Sequence, residues 1–381
     1  MVKTTAYSEH GPGRRIFDFD PGNPTIGMIA LAAAPPDAAT GLYSSIHPAM
    51  GTEYTLYLYA RSCEEAEAAA RLAFDEVDRI EDLLSHYRDG SELSRINNEA
   101  GSHEVTTDPE VFRFLESAFA WSERSHGAFD MTVGTLMKTW GFFNARGAVA
   151  AGAVQSGAVQ SGAVPSGVVP SDAALREVRC QVGWEKVQLD PQRRTVRFLS
   201  AGMELDPGGI GKGYAVDRAV RVLSKAGVRA ALVSAGSSSV YALGAPPGMP
   251  GWKIQIPDPG NEGAVISEVL LRDTSLSTAN RSQKYFIEDG HLYGSIMDPR
   301  TLRPCEGVLQ TCAIAASALD SDVLSNALFV LGAEDSACWL EELPQFSALI
   351  VSATALRHRA IRWPSSVAGM NRAKLSDYEE D

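Results

Sequence analysis

The stretch MELDPGGIGKGYAVDRAVRVLSKAG, residues 203–227, decides how the rest of the chain is read. Its first half places Gly208, Gly209, Gly211 and Gly213 close together, and the missing side chains let backbone N–H and C=O groups approach a phosphate-bearing ligand or a metal. Its second half reads as a helix from Gly213 onward. Lys212 stands at the start of that helix, where exposed amides favour negative charge. The spacing is neither that of the phosphate loop, which ends in Gly-Lys-Ser/Thr, nor that of a complete dinucleotide fingerprint. On residue types alone, a ligand loop and a purely structural turn both stay open.

Working outward, strands are expected at 230–233, 240–243 and 252–256, with the small polar loop AGSSS (235–239) between the first two. Further strands are expected at 265–270, 285–287, 311–315 and 348–354, and a helix is expected to open at Ser321. Upstream, the sheet-like EYTLYLY (53–59) precedes a helical run, 64–87, that sets Leu72, Val77, Ile80, Leu83 and Leu84 largely on one side. A second helix is expected at 109–125, with Asp108 as cap and Pro109 in its first turn. KVQLD (186–190) and TVRFL (195–199) return to sheet patterning. Helices and strands alternate along one chain of mixed α and β character.

At 381 residues the chain can bury a substantial core, and 45% hydrophobic with 21% charged residues describes a globular protein. A formal charge of -13 opposes diffuse binding to nucleic acid or anionic lipid, while leaving room for a local basic pocket. The five cysteines are too dispersed for a disulfide framework or a thiolate metal site. No segment has the length and apolarity of a membrane span. Arg14-Arg15 and the apolar run 26–34 resemble an export signal, but the run is short and FDFDPGNPT between them is acidic and turn-rich; a cytoplasmic location is expected, with export left open. Residues 1–46 read as a flexible extension and 356–381 as a polar tail. Within the main domain, 47–355, glycine recurs every five residues from Gly147 to Gly167, which matches neither helix nor strand, so 147–170 reads as a surface insertion.

Three more segments carry polar chemistry. In LDSDVLSN (319–326), Asp322 and Asn326 are four apart and share a helix face, where their oxygens suit a hard cation; Asp320 or Ser321 acting as a simple cap is the competing reading. Asp298-Pro299-Arg300 sits on an expected turn, with Ser295 three residues before, so Asp298 could orient a hydroxyl and Arg300 could hold phosphate. Tyr87 and Phe129 could pack on a flat ring, and Asp130 could bond a heterocycle or ribose.

Taken in order, MGTEYTLYL, YRDGSELSRIN, HGAFDMTVGTL, WGF, LDPGGIGKGYAVDRA, ALVSAG, WKIQI, STAN, YGSIMDPR and SDVLSNALFVLG resemble the FAD:protein FMN transferase family, formerly the thiamine-biosynthesis lipoproteins, over roughly residues 47–355. The resemblance implies an α/β (α+β), T-fold-like architecture with FAD held between lobes. It implies Mg²⁺-dependent transfer of FMN from FAD to a Ser/Thr hydroxyl of an acceptor flavoprotein, with release of AMP. It places Met50, Tyr87, Ala128, Phe129, Asp130, Asp206, Lys212 and Ile296 at the FAD, and Gly209 (carbonyl), Asp322 and Asn326 at the metal. Lys212, Asp298 and Ser295 are then the candidate catalytic positions. The chain departs from the family in having Ser295 for His, Asn326 for Thr, Ser234-Ala235-Gly236-Ser237 for an Asn-Ala-Gly-Gly-like run, Thr278-Ala279-Asn280 for Thr-Ser-Gly, and Leu302 for Gly. Ser295 cannot replace an imidazole base near neutral pH without activation. A flavin-binding protein without catalysis, and hydrolysis of FAD to FMN and AMP, are the alternatives.

Overall fold

A computed structural model describes residues 40–143, 162–164, 167–261, 263–353 and 358–364, together with the backbone strands Arg15–Asp18, Thr25–Ile26 and Ile29–Ala30. Its frame is a nine-stranded sheet in the order Arg15–Asp18, Gly41–Ala49, Thr52–Ala60, Ala231–Ala235, Ser239–Leu243, Thr274–Asn280, Val308–Ala315, Ser347–Ser352 and His358–Ile361. Every neighbouring pair in it is antiparallel.

Thr52–Ala60 shows why the sheet is a middle layer. Tyr54, Leu56, Leu58 and Ala60 point into one buried core, while Tyr57 and Tyr59 point into another. The period of two therefore sends apolar side chains to both faces. On the first face lie α1 (Cys63–Leu84), α2 (Glu92–Glu99), α3 (Pro109–Arg124), α6 (Gly211–Lys225) and α7 (Ala318–Glu341). Against the second lies a smaller sheet built on Trp252–Pro257 and Val265–Leu271. Helices gathered on one face of an antiparallel sheet are the α+β arrangement the resemblance implies.

Local chemistry explains the helix starts. The Ser62 side chain caps α1 by accepting Glu65 N–H, and Asp108 caps α3 with Pro109 in the first turn, as expected. Ala66, Ala69, Ala70 and Ala73 make the N-terminal half of α1's buried face, with Val77, Ile80 and Leu84 completing it. Leu72 does not belong to that face: it is 48% exposed, whereas Phe74 is buried in it and stacks on His47 of the strand Gly41–Ala49.

A third, smaller core surrounds Trp140, with Leu136, Phe142 and Phe143 from and after α4 (Gly134–Thr139), Leu175 and Val178 from α5 (Asp172–Val178), and Phe286 from the strand Lys284–Glu288. Burying each such side chain contributes roughly 1.5–3 kcal/mol, so this cluster is a second lobe with its own cohesion.

The boundary read at 46/47 falls inside the strand Gly41–Ala49, and Arg15–Asp18 pairs with its outer edge. Residues 144–161, 165 and 166 of the repeat region lie outside the described residues. Beyond them, Gly162–Ala163 pairs in parallel with the strand Lys284–Glu288, and Val168 N–H donates to Trp140 O at 3.2 Å. The main sheet runs on to Ile361, inside the segment read as tail, while 365–381 lie outside the described residues. Among the described residues no helix is long and apolar enough to cross a membrane.

Candidate functional site

The Gly-rich stretch folds as a turn that closes directly into α6. Ile210 and Gly211 N–H both reach Pro207 O, at 3.0 and 2.7 Å, so the helix begins at Gly211, two residues earlier than expected. Asp206 pins the entrance: its Oδ1 accepts Gly208 N–H at 2.9 Å, and its own N–H donates to Met131 O at 2.7 Å. Lys212 Nζ folds back to donate to Gly208 O at 3.2 Å. A Cβ on Gly213 would stand 2.2 Å from Ala318 O and 2.8 Å from Asp322 Cβ. Glycine there lets α6 touch α7 backbone to backbone.

That contact delivers the carboxylate. Gly213 N–H donates to Asp322 Oδ2 at 3.0 Å, and Asp322 is 1% exposed. Burial pushes its pKa up, while Lys212, Gly213 N–H and the Ser239 and Ser238 side chains pull it down. The Ser239 hydroxyl has no partner at hydrogen-bonding geometry among the described residues, although it faces this carboxylate. One turn on, Asn326 Nδ2 donates to Asp322 O at 2.9 Å and to Gly209 O at 3.3 Å. Asn326 thus joins Gly209 and Asp322 through their main-chain oxygens, with its amide nitrogen as the donor; a half-turn of the amide would present its oxygen instead.

The helix around them starts earlier than the sequence suggests. Ser317 caps α7 by accepting Asp320 N–H, and Asp217 of α6 accepts Ala318 and Leu319 N–H at 2.7 and 2.9 Å. Neither Asp320 nor Ser321 is the cap: Asp320 Oδ1 accepts Trp121 Nε1–H, and Ser321 Oγ bonds Ser275 and Ser277.

The flanking wall combines the other expected contacts. Met50 holds a left-handed φ of 51° beside Gly51; Tyr54 OH donates to its Sδ, and its Cε lies 3.4 Å from the site of a Cβ on Gly211. Phe129 is 5% exposed and its Cε2 lies 3.3 Å from the equivalent point on Gly209, with buried Ala128 beside it. Asp130 is committed inward: Oδ1 accepts Thr132 N–H and Oγ1–H, and Oδ2 accepts Trp184 N–H. Burial raises its pKa to about 6 against those three donors. Tyr87 is 42% exposed, unusual for so large a ring, and stands edge-on to Phe143 at 5.5 Å.

Two groups here were not singled out by the sequence. His86 packs against Tyr87 and Phe143, its Nδ1 is 3.7 Å from Asp206 Oδ1, and its buried Nε2 has no partner among the described residues. Burial lowers its pKa, favouring the neutral ring. Lys284 places Nζ 4.7 Å over the Phe143 ring.

The segment around Ser295 is less involved. Ser295 N–H donates to Lys284 O at 2.9 Å, and Ile296 packs with Ala279, Cys305 and Phe329. Asp298 binds its own turn, accepting Arg300 N–H, Nε–H and an Nη2–H. No ion pair or hydrogen bond among the described residues links Asp298 to Asp322, Lys212 or Asp206, and Arg300 is occupied by Asp298.

No three His, Cys, Asp or Glu side chains gather to hold a metal among the described residues. The set at Asp322 is of another kind: one buried carboxylate, one backbone carbonyl and one amide, with the Ser239 hydroxyl lacking a partner. That fits a hard cation of magnesium type, which binds through one or two carboxylates plus waters and substrate phosphates and does not need a full protein cage.

Residues 50–350 match the ApbE family model. The chain is 31% identical over 325 residues to a FAD:protein FMN transferase of Treponema pallidum, covering 81% of this chain and 84% of that protein. A protein of the same name from Klebsiella pneumoniae is 30% identical, over 82% of this chain and 89% of that one. Among solved structures, the ApbE protein of Thermotoga maritima superposes with a TM-score of 0.74 at 26% identity, covering 89% of this chain and all (100%) of that one. The apo flavinyl transferase ApbE of Pseudomonas stutzeri gives 0.71 at 25% identity, covering 85% and 95%.

Proposed function

Because the chain belongs to the ApbE family, we propose that it transfers the FMN half of FAD, with Mg²⁺, to a Ser or Thr hydroxyl of an acceptor protein and releases AMP. The observation that carries this reading is the α6–α7 junction. It sets Lys212, the Gly209 carbonyl and the Asp322 carboxylate around one Gly-rich turn.

In the reaction, the hydroxyl oxygen forms a bond to the FMN phosphorus. The bond from that phosphorus to the bridging oxygen breaks, AMP leaves with the electron pair, and the hydroxyl proton passes to a base or solvent. Asp322, the Gly209 carbonyl and Asn326 are the residues to hold Mg²⁺, which supplies neutralisation of phosphate charge when bound. Lys212 stabilises negative charge on the phosphates from the first turn of α6. Met50, Phe129 and Tyr87 supply faces for flat rings. Asp206 acts on the turn, holding Gly208 in place, and Asp130 fixes the loop that carries Phe129. Asp298 remains the proposed group for orienting the acceptor hydroxyl, which requires it to loosen its pairing with Arg300; Ser295, with Ile296 beside it, lines the approach.

Intact-mass analysis of purified protein with FAD, Mg²⁺ and candidate flavoprotein acceptors tests this reading. An acceptor heavier by the FMN moiety, with matching AMP, is expected. FMN and AMP with no modified protein would establish hydrolysis instead. Binding of FAD with no product at any divalent ion would leave a flavin-binding protein.

A further inference from the structure

We propose that Lys284 is the second cation of a diphosphate clamp, facing Lys212 across the Gly-rich turn, so that each ammonium takes one phosphate of a dinucleotide such as FAD. This rests on the reading of the site as a FAD site.

Among the described residues Lys138 lies 2.6 Å from Glu204 and Lys253 lies 2.8 Å from Glu268, while Lys186 donates to the Arg179 and Val182 carbonyls. Lys212 and Lys284 have no carboxylate within ion-pair distance among the described residues. Lys212 has only the Gly208 carbonyl, and Lys284 has the face of Phe143. The two arrive from different lobes, Lys212 on α6 of the main core and Lys284 on the strand that carries Phe286 of the small core. Phe143 and His86 bridge them, since Lys284 covers Phe143, Phe143 touches His86, and His86 reaches Asp206 at the entrance of the turn.

The charges also act on each other. Burial lowers the Lys284 pKa, Lys212 lowers it further, and Asp206 alone opposes them. Asp206 has already committed Oδ1 to Gly208 N–H. A partly desolvated Lys284 ammonium with no counter-ion of its own, and with a second cation nearby, is unfavourable until an anion lies between the two. A diphosphate supplies one negative charge to each, and charge-assisted bonds to phosphate are among the strongest a lysine makes.

The test compares Lys284→Met, which keeps length and removes charge, with Lys284→Arg, which keeps charge. Titrations use FAD and ADP, in low and high salt, with thermal melts of all three proteins. The Met variant is expected to bind both ligands roughly tenfold more weakly in low salt, a gap that shrinks in high salt, while the Arg variant stays within about threefold of wild type. Unchanged affinity in the Met variant, or equal loss in both variants, would overturn the clamp and leave the flavin site standing. If wild-type protein binds neither FAD nor ADP, the site reading and the clamp fall together.

Discussion

Gly213→Ala is the perturbation that most directly joins fold to site. In an exposed helix this change would stabilise by about 1 kcal/mol, because alanine loses less backbone entropy. Here the new Cβ would lie 2.2 Å from Ala318 O and 2.7 Å from Ala318 C, both backbone atoms that cannot swing away. Restoring ordinary contact requires α6 and α7 to separate by about 1 Å. Overpacking of that kind costs about 1–3 kcal/mol. The same movement stretches the bond from Gly213 N–H to the buried Asp322 carboxylate, worth about 1.5–3 kcal/mol for a charged partner. The clash and the lost bond outweigh propensity, leaving a net loss of about 1.5–5 kcal/mol by the same figures. Urea unfolding of purified protein measures it, with Gly101→Ala as the control, since a Cβ there meets nothing nearer than Ala201 Cα at 3.9 Å. The control should stay within about 0.5 kcal/mol of wild type. AMP release should fall in Gly213→Ala at temperatures where it is still folded. A Gly213→Ala protein as stable and active as the control would refute the backbone contact.

Other outcomes follow from the same geometry. Lys212→Ala should weaken FAD binding by roughly tenfold or more with little change in the denaturant midpoint; equal FAD affinity would remove Lys212 from the site. Asp322→Asn should abolish most magnesium-dependent AMP release while Asn326→Thr preserves it, read from magnesium titrations with melts as control, and an unchanged magnesium dependence in Asp322→Asn would defeat the metal assignment. For Asp217, burial raises the folded-state pKa to about 6, so the folded protein holds this proton more tightly than the unfolded chain. Its contribution therefore favours folding at low pH and is lost as pH rises from about 4 to 6, by at most about 3 kcal/mol. Wild type should accordingly lose stability relative to Asp217→Asn from pH 4 to pH 7 in urea melts, and a wild type that gains on the variant over that range would contradict the assigned burial.

What the sequence showed and what it hid separate along a physical line. The turn at 206–213, the cap at Asp108 and the shared face of Asp322 and Asn326 are local, and spacing alone displays them. The start of α7 was hidden because Asp217, about a hundred residues upstream, takes its first amides. Leu72 reads as core by hydrophobicity, yet the packing buries Phe74 and the neighbouring alanines. Asp130 and Asp298 look like free acids in the sequence; the structure shows one satisfied by Thr132 and Trp184 and the other by Arg300. His86 and Lys284 lie in unremarked positions and gain meaning only when the small core brings Phe143 between them. Among these, only Tyr87's neighbour could have been suspected, as a histidine beside an aromatic that the motif already singled out.

The break at Gly332, where φ is 75° and ψ is -177°, divides α7 into two pieces. Only glycine readily adopts that conformation, and Ser336 Oγ–H donates to Leu328 O across the gap at 3.2 Å. Helical hydrogen bonding therefore does not run continuously from Ala318 to Glu341, and we expect the two pieces to open separately. The piece that carries Asp322 and Asn326 is wedged between the sheet and α6, whereas in the other piece Leu340 O accepts from Arg362, just past the last strand. Loosening of the chain's C-terminal end can thus stop at Gly332, and amide exchange should begin beyond that seam while the segment that carries the carboxylate stays closed.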